Sequence, residues 1–255
     1  MNSIDVVSMK IVFIGVGGWI SSHRLGHTSI LVVSRDTSIL LDAGECVYRM
    51  LREFGVDICG VSNIVVTHRH GDHILGLPTY IQMYRWSGCR DTLNIYSLND
   101  VISSIKHFLD FVGVDIQRSD ARFIDIEERS LSIGDLYIEA MRTCHSIPSI
   151  AVKVCDENKC IVYTGDTRFC EKLVEFSRGC DILIHEASGY EENAGLYGHS
   201  NLYEAIDIAV KASVKMFIPI HFYRDIPMIR ADIARKLGEA GIDLVIPYPG
   251  YTIEI

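Results

Sequence analysis

The stretch from His68 to His73 reads His-Arg-His-Gly-Asp-His, so three imidazoles and one carboxylate stand close together in the chain. Imidazole nitrogens and carboxylate oxygens are the ligands that Zn²⁺ and other borderline divalent cations prefer. Gly71 stands among them and lets the backbone bend sharply at little steric cost. A lone histidine at a strand end is commonly structural, but this combination is far more demanding. The spacing predicts a metal site that uses His68, His70, Asp72 and His73.

A strand, a turn and a helix are needed to hold these ligands in place. Ile64-Val65-Val66, just before the cluster, is a β-branched run typical of a buried strand. An apolar helical pattern follows from His73 to Trp86, and Pro78 is expected to bend this helix. The cluster is therefore predicted at the C-terminal end of a buried strand.

Other predicted strands end in residues of the same ligand types. These residues are Asp42, His145, Asp166, His185 and His221. In α/β proteins, functional sites are commonly built from polar residues at the ends of strands, because the strands are rigid. Two interpretations stay open for Asp166, since a carboxylate there can cap the next helix or can bridge two cations and lower their mutual repulsion.

The rest of the chain alternates short apolar runs with amphipathic segments. Residues 15–18 (GVGG) are predicted as a turn, without the spacing of a nucleotide-binding loop. Asn99 or Asp100 is predicted to cap one helix and Ser200 another. Because we find no internal repeat and no linker, residues 1–255 are predicted to form a single α/β domain.

Composition narrows the classes of function. The chain has 255 residues and a net charge of −9, which argues against a broad basic surface for polyanions and leaves a local basic patch open. No apolar run approaches the roughly 20 residues of a membrane span, and the N-terminus lacks the apolar core of a signal peptide. We therefore expect a soluble cytoplasmic protein, with residues 1–8 as a loose extension.

The chain contains eight cysteines, which do not follow a Cys-x-x-Cys zinc pattern. Cys155 and Cys160 flank a predicted hairpin turn, so a disulfide between them is possible. Four others lie in apolar surroundings and are predicted to be small buried residues; they are Cys46, Cys59, Cys144 and Cys180.

The histidine and aspartate motif resembles the signature of the metallo-β-lactamase superfamily. This resemblance implies a four-layer αββα sandwich and two metal ions, zinc above all, with Mn²⁺ or Fe²⁺ as alternatives. It implies that Asp42 orients a histidine ligand by accepting a hydrogen bond from the ring N–H that faces away from the metal. It also implies one metal on His68, His70 and His145, a second on Asp72, His73 and His221, and Asp166 as the bridge.

Four further motifs resemble the ribonuclease Z subfamily and its shorter phosphodiesterase relatives. They are Leu41-Asp42-Ala43-Gly44-Glu45, His185-Glu186-Ala187, Gly198-His199-Ser200 and His221-Phe222-Tyr223-Arg224. The resemblance implies that Glu186 and His199 act at the scissile phosphate, with His199 as proton donor to the leaving oxygen. It also implies RNA as a possible substrate and a homodimer.

The chain departs from that subfamily in one segment. Long ribonuclease Z proteins insert a basic arm that grips tRNA between the equivalents of His145 and Asp166. Here only residues 146–165 lie between them, enough for two strands and a turn. The resemblance therefore supports metal-dependent phosphodiester hydrolysis more directly than tRNA processing.

The sequence as a whole predicts a hydrolase in which a metal-bridging hydroxide attacks phosphorus and Asp72 manages its proton. Three alternatives remain. The same fold could act on a small ester, lactone or thioester, could carry an iron redox centre, or could bind metal without catalysis. The Glu186 and His199 motifs favour phosphodiesters only by resemblance.

Overall fold

The computed structural model describes residues 9–127 and 129–255, so the extension predicted for residues 1–8 lies outside it. Its strands are β1 (Lys10–Gly15), β2 (Gly17–Ser21), β3 (Ser29–Val33), β4 (Ser38–Leu41), β5 (Asn63–Val65), β6 (Leu93–Ser97), β7 (Ala121–Asp125), β8 (Ser130–Ile133), β9 (Leu136–Arg142), β10 (Ile150–Cys155), β11 (Cys160–Tyr163), β12 (Ile182–Glu186), β13 (Met216–Ile220), β14 (Phe222–Arg224), β15 (Asp243–Leu244) and β16 (Thr252–Glu254).

Helices connect and cover these strands. They are α1 (Val47–Glu53), α2 (Gly71–Ile74), α3 (Leu77–Trp86), α4 (Asn99–Phe111), α5 (Glu171–Ser177), α6 (Leu202–Ala212) and α7 (Ala231–Glu239). Within the described ranges, no helix is both long enough and apolar enough to cross a bilayer.

Two large sheets form the centre of the molecule. The first has the order β16-β1-β3-β4-β5-β6-β7 and the second β15-β13-β12-β11-β10-β9-β8. Helices α1 and α4 contact the first sheet, and α5, α6 and α7 contact the second. Most strand residues of β3, β4 and β12 are buried, as expected for sheets covered on both faces. This is the predicted αββα arrangement.

The helices bury one face each because their apolar residues recur at helical spacing. In α4 the buried residues are Val101, Ile102, Ile105 and Leu109. The N-cap of α6 is Asn201, whose side chain accepts from the Glu204 amide while the Glu204 carboxylate accepts from the Asn201 amide. The predicted caps were wrong: Asn201 replaces Ser200, and the N-cap of α4 is Leu98, without a side-chain bond.

The region around Pro78 also differs from the prediction. The helical pattern forms two helices, α2 and α3, and Pro78 lies in the first turn of α3. Proline fits there because the first turn of a helix has amide groups without intrahelical partners. Pro78 therefore lies in the first turn of a helix, whereas a bend within one helix was expected.

A third, two-stranded sheet was missed altogether. It pairs β2 with β14 in parallel, with Phe222 opposite Gly17 and Arg224 opposite Ser21. Of residues 15–18, predicted as a turn, Gly17 and Gly18 begin β2, whereas Gly15 ends β1. We call the pair of strands the β2–β14 ribbon, and it borders the site described below.

The cysteine predictions were partly wrong. The structure joins Cys155 to Cys160, the pair that the sequence left open. It also joins Cys59 to Cys89 and Cys144 to Cys170. Cys46 is exposed, and of the four cysteines predicted to be small buried residues only Cys180 is a buried free thiol.

Candidate metal centre

The strands that end in potential ligands all finish at the same edge of the two sheets. Strands β4 and β5 are parallel in the first sheet, and β11, β12 and β13 are parallel in the second. The residues that follow their C-terminal ends therefore meet in one place. Asp42 and His221, directly after β4 and β13, have positive φ angles of 60° and 64°, which turn the chain sharply at this edge.

The first ligand group contains three histidines from two distant segments. Nδ1 of His70 lies 3.1 Å from Nε2 of His68 and 3.2 Å from Nε2 of His145. Asp166 completes the group, and the four ligand atoms lie within 4.8 Å of one another. Folding thus unites the ligands that the resemblance assigned to a first metal.

The second ligand group is fully buried and contains Asp72, His73, Asp166 and His221. Oδ2 of Asp72 lies 3.0 Å from Nε2 of His221 and 3.4 Å from Nε2 of His73. The four ligand atoms again lie within 4.8 Å of one another. These are the residues that the resemblance assigned to a second metal and its bridge.

Asp166 belongs to both groups, and each of its oxygens faces one of them. Oδ2 lies 3.3 Å from Nε2 of His68 and 4.0 Å from Nε2 of His145. Oδ1 lies 3.4 Å from Nε2 of His73 and 3.3 Å from Nε2 of His221. This position suits a carboxylate shared by two cations. No bond from the Asp166 side chain to the start of the next helix is present among the described residues, so the capping interpretation has no support.

Outer hydrogen bonds determine which ring nitrogens face the centre. Nδ1 of His145 donates to the Gly198 carbonyl over 2.8 Å, and Nδ1 of His73 donates to Asp42 over 2.7 Å. Each ring then presents Nε2 to the interior. Across the described chain, His73 Nε2 and Asp166 Oδ1 are buried without a hydrogen-bond partner. Nitrogen and carboxylate lone pairs that converge in this way fit divalent metal ions.

Asp42 positions the second ligand group through hydrogen bonds. Its carboxylate accepts from the Thr67 amide over 2.7 Å, from His73 Nδ1 over 2.7 Å and from the Tyr163 hydroxyl over 2.6 Å. Because Thr67 precedes His68, this single buried carboxylate positions both ligand groups. The prediction that Asp42 orients a histidine is confirmed, and the histidine is His73.

We expect Asp42→Asn to weaken metal binding by about 10–100-fold, which is the usual effect of removing the hydrogen-bond partner of a metal ligand. The amide keeps the shape of the side chain but not the charge that holds the proton on His73 Nδ1. Metal titration against a competing chelator measures the change. Tyr163→Phe is the matched control, because it removes one donor to Asp42 and should weaken binding less. Unchanged affinity in Asp42→Asn would contradict this role.

Burial and charge divide the site into two classes of histidine. Burial lowers the pKa of His68, His70 and His145 to about 4, so these rings are neutral and ready to bind metal at pH 7. Burial also opposes protonation of His73 and His221, but Asp166 and Asp72 outweigh it and raise both pKa values. Without metal, protons on these two rings balance the buried carboxylates.

We expect the metal-free protein to be most stable near pH 6.5. Buried histidines with a pKa of about 4, including His68 and His185, exclude protons that the unfolded chain takes up. Stability is therefore lost as the pH falls from 6.5 towards 4, by up to about 1.4 kcal/mol per pH unit for each such group. His199, whose raised pKa is about 9, acts oppositely, so stability is also lost as the pH rises from 6.5 towards 9.

Urea unfolding in chelator, below, at and above pH 6.5, measures this dependence. His185→Gln is a useful variant because His185 lies outside both ligand groups, and it should flatten the acid side of the curve. A midpoint that rises steadily through the whole range would show that the raised pKa values are not present.

Beside the ligand groups, Glu186 and His199 form a buried pair. Nδ1 of His199 lies 3.1 Å from Oε1 of Glu186, which also accepts from the amides of Thr167 and Ser200. Burial would lower the pKa of His199, but Glu186 and then Asp166 and Asp72 raise it to about 9. His199 is therefore protonated at pH 7, with Nε2 as its free ring nitrogen.

A cavity of about 290 Å³ opens onto both ligand groups. Its lining includes His70, Asp72, Asp166, His199 and His221 on the polar side, and Trp19, Ile20 and Tyr223 of the β2–β14 ribbon on the other. Sequence reasoning missed this second wall because residues 15–18 read as a turn. The two buried glycines of β2 are followed by two exposed residues, so the strand lacks the alternation that would signal it in the sequence.

Other histidines predicted from the sequence lie outside the ligand groups. His185 is buried, and its Nδ1 donates to the Glu186 carbonyl over 2.5 Å, so it supports β12 and the turn after it. His23 and His107 are exposed, and His27 is half-buried. None of these four belongs to a group of potential metal ligands in the described chain.

Comparison with known sequences agrees with the resemblance to ribonuclease Z. Residues 9–236 match the protein family described as Anti-Pycsar protein Apyc1. A ribonuclease Z from Metallosphaera sedula is 31% identical over 264 residues, covering 85% of this chain and 90% of the relative.

Solved structures show the same fold. The metallo-β-lactamase fold protein YhfI from Bacillus subtilis matches with a TM-score of 0.85 at 22% identity, covering 98% of this chain and 100% of that one. The short form of human tRNase Z matches with a TM-score of 0.76 at 20% identity, covering 96% of this chain and 98% of that one. The predicted four-layer fold is thus confirmed.

Proposed function

The chain belongs to the family described as Anti-Pycsar protein Apyc1, within the ribonuclease Z-like part of the metallo-β-lactamase superfamily, and we propose that it is a metal-dependent phosphodiesterase with a dinuclear centre. The position of Asp166 carries this proposal, because its two oxygens face two separate groups of potential ligands. Relatives named ribonuclease Z support a phosphodiester as the bond that is cleaved.

We assign one metal to His68, His70 and His145 and the other to Asp72, His73 and His221, with Asp166 shared. Zn²⁺ suits this mixture of imidazole and carboxylate, and two ions per chain match the two groups; Mn²⁺ or Fe²⁺ are alternatives. When bound, such cations lower the pKa of coordinated water towards neutrality and stabilise negative charge on phosphoryl oxygens.

Asp72 and His199 serve two different proton transfers: Asp72 acts on the attacking water and His199 on the leaving oxygen. His73 and His221 hold the pKa of Asp72 well below its usual range despite burial, so Asp72 is ionised and available to a metal. Its carboxylate also lines the cavity, and from this position it accepts a hydrogen bond from the attacking water and guides the transfer of its proton. His199 is protonated and lines the cavity, so it donates a proton to the leaving oxygen. Glu186 orients the His199 ring and keeps it charged.

The size and charge of the site favour small phosphodiesters over a folded RNA. Residues 146–165 form β10, β11 and a turn, which leaves no room in this segment for an arm that grips tRNA. The chain also has a net charge of −9, whereas contact with many phosphates depends on Lys and Arg. An RNA with an accessible end remains a substrate to be tested.

Hydrolysis of bis-p-nitrophenyl phosphate compared with p-nitrophenyl acetate tests the proposed function. We expect turnover of the phosphodiester with Zn²⁺ and none with chelator. Turnover of the acetate alone would assign the site to carboxylic esters. Inertness towards both compounds in protein shown to hold metal would assign it to metal binding without catalysis.

We further propose that the protein acts in the cytoplasm as a homodimer. The ribonuclease Z resemblance supports both the dimer and the cytoplasmic location. Light scattering coupled to size-exclusion chromatography measures the mass in solution. A mass near 28.6 kDa at micromolar concentration would show a monomer.

A further inference from the structure

We propose that Trp19 selects nucleotide substrates by stacking on the planar base, whose sugar carries the scissile phosphate. This rests on the proposed phosphodiesterase function and adds a specificity residue to it. Trp19 lies on the β2–β14 ribbon, on the wall of the cavity that faces the metal ligands.

The backbone of β2 is fixed against the metal centre. A Cβ atom placed on Gly18 would lie 2.6 Å from Cε1 of His221, so only glycine allows the strand to come this close. Pairing of β2 with β14, directly after His221, holds the strand at this distance. Trp19 is therefore presented from a rigid element beside one of the assigned ligands.

The indole ring is held along one edge. A Cβ atom on Gly71 would lie 2.6 Å from Cζ3 of Trp19, so the ring edge packs on the glycine between His70 and Asp72. Even so, 61% of Trp19 is exposed. A ring that is anchored at its edge keeps a flat surface available for another aromatic group.

Trp19 is one of several apolar residues around the mouth of the site. Ile20 and Tyr223 line the same cavity and also line a neighbouring cavity of about 570 Å³. Tyr197, which is 64% exposed, also lines this second cavity. A single exposed apolar residue is ordinary, whereas a group of them around one opening indicates a binding surface.

The two sides of the first cavity suit the two ends of a nucleotide. The ligand side suits a phosphate once metal is present. Among the described residues, no Lys or Arg lines this cavity, so affinity beyond the phosphate must come from the wall of Trp19, Ile20 and Tyr223. Aromatic side chains stack on any base through its flat face, and Trp offers the largest such surface.

Two substrates with the same leaving group test the role of Trp19. Thymidine 5′-(p-nitrophenyl phosphate) carries a base, and methyl p-nitrophenyl phosphate does not. Trp19→Ala should lower kcat/KM for the thymidine ester by about 5- to 150-fold, mostly through KM, as loss of one stacking contact predicts. The methyl ester should change by less than about two-fold. Trp19→Phe should restore most of the activity, and Trp19→Leu should not.

Trp86 provides the matched control, because it is 83% exposed at the end of α3 and lines neither cavity. Trp86→Ala should change neither ester. Trp86→Phe leaves Trp19 as the sole tryptophan of the chain. In this variant, loaded with Zn²⁺, thymidine 5′-monophosphate should quench the fluorescence and inorganic phosphate should not.

Equal losses on both esters, no loss on either, or an unquenched Trp19 would overturn the proposal. If the wild-type protein with bound metal cleaves neither ester, the phosphodiesterase function fails. The fluorescence titration then still decides whether Trp19 contacts a base, so the two failures are distinguishable.

Discussion

Replacing Asp166 by alanine is expected to abolish phosphodiester hydrolysis and to remove most of the bound metal. Each oxygen of this buried carboxylate faces a different ligand group, so one substitution takes a ligand from both. It also removes the negative charge that lowers the repulsion between two dications. The loss of metal affinity should exceed the roughly 10–100-fold that accompanies removal of the hydrogen-bond partner of a metal ligand.

Elemental analysis of chromatographed protein and turnover of bis-p-nitrophenyl phosphate measure these effects together. Asp166→Asn keeps the shape and one oxygen, so it should retain more metal than the alanine variant while still losing activity. Asp207→Ala is the control, because Asp207 pairs with Lys236 on the surface. An Asp166→Ala protein with two ions and wild-type turnover would refute the assignment of the centre.

The second large effect concerns His199 and depends on the leaving group. A proton donor matters when the leaving oxygen is strongly basic, so His199→Ala should slow cleavage of an alkyl phosphodiester by about 10²–10⁴-fold. Cleavage of p-nitrophenyl phosphodiesters should change far less, since p-nitrophenolate leaves without a proton. Metal content should stay at the wild-type value, because His199 lies outside the assigned ligand sets.

The pH profile gives an independent check on the same residue. Glu186 and its carboxylate neighbours raise the pKa of His199 to about 9, so activity on the alkyl diester should fall as the pH rises through about 9. Glu186→Gln removes the nearest negative charge, and this fall should then begin at lower pH. An unchanged profile in Glu186→Gln, or equal losses with both leaving groups in His199→Ala, would contradict proton donation by His199.

Much of the site could be predicted because its ligands follow strong local patterns. Buried strands such as β5, β11 and β13 are short and largely apolar, and a polar residue follows within two positions of the end of each. When such strands are parallel, their C-terminal ends meet at one edge. The prediction that distant residues such as His70 and His145 come together followed from this rule and from the resemblance.

The remainder depended on tertiary contacts that leave little trace in a single sequence. The strand β2 contains two glycines and pairs with a strand about 200 residues away, so neither propensity nor periodicity reveals it. The pairing of Cys59 with Cys89 likewise depends on how helices and loops meet. Trp19 was missed for the same reason, because its meaning comes from its neighbours in space.

The location of the assigned ligands has a consequence for assembly. His68, His70, Asp72 and His73 come from the part of the chain that builds the first sheet, and His145, Asp166 and His221 come from the part that builds the second. A complete coordination set exists only after the two sheets have docked, so the affinity for metal adds directly to the adhesion between them. Bound metal would therefore stabilise the contact between the two sheets, and its removal would weaken that contact.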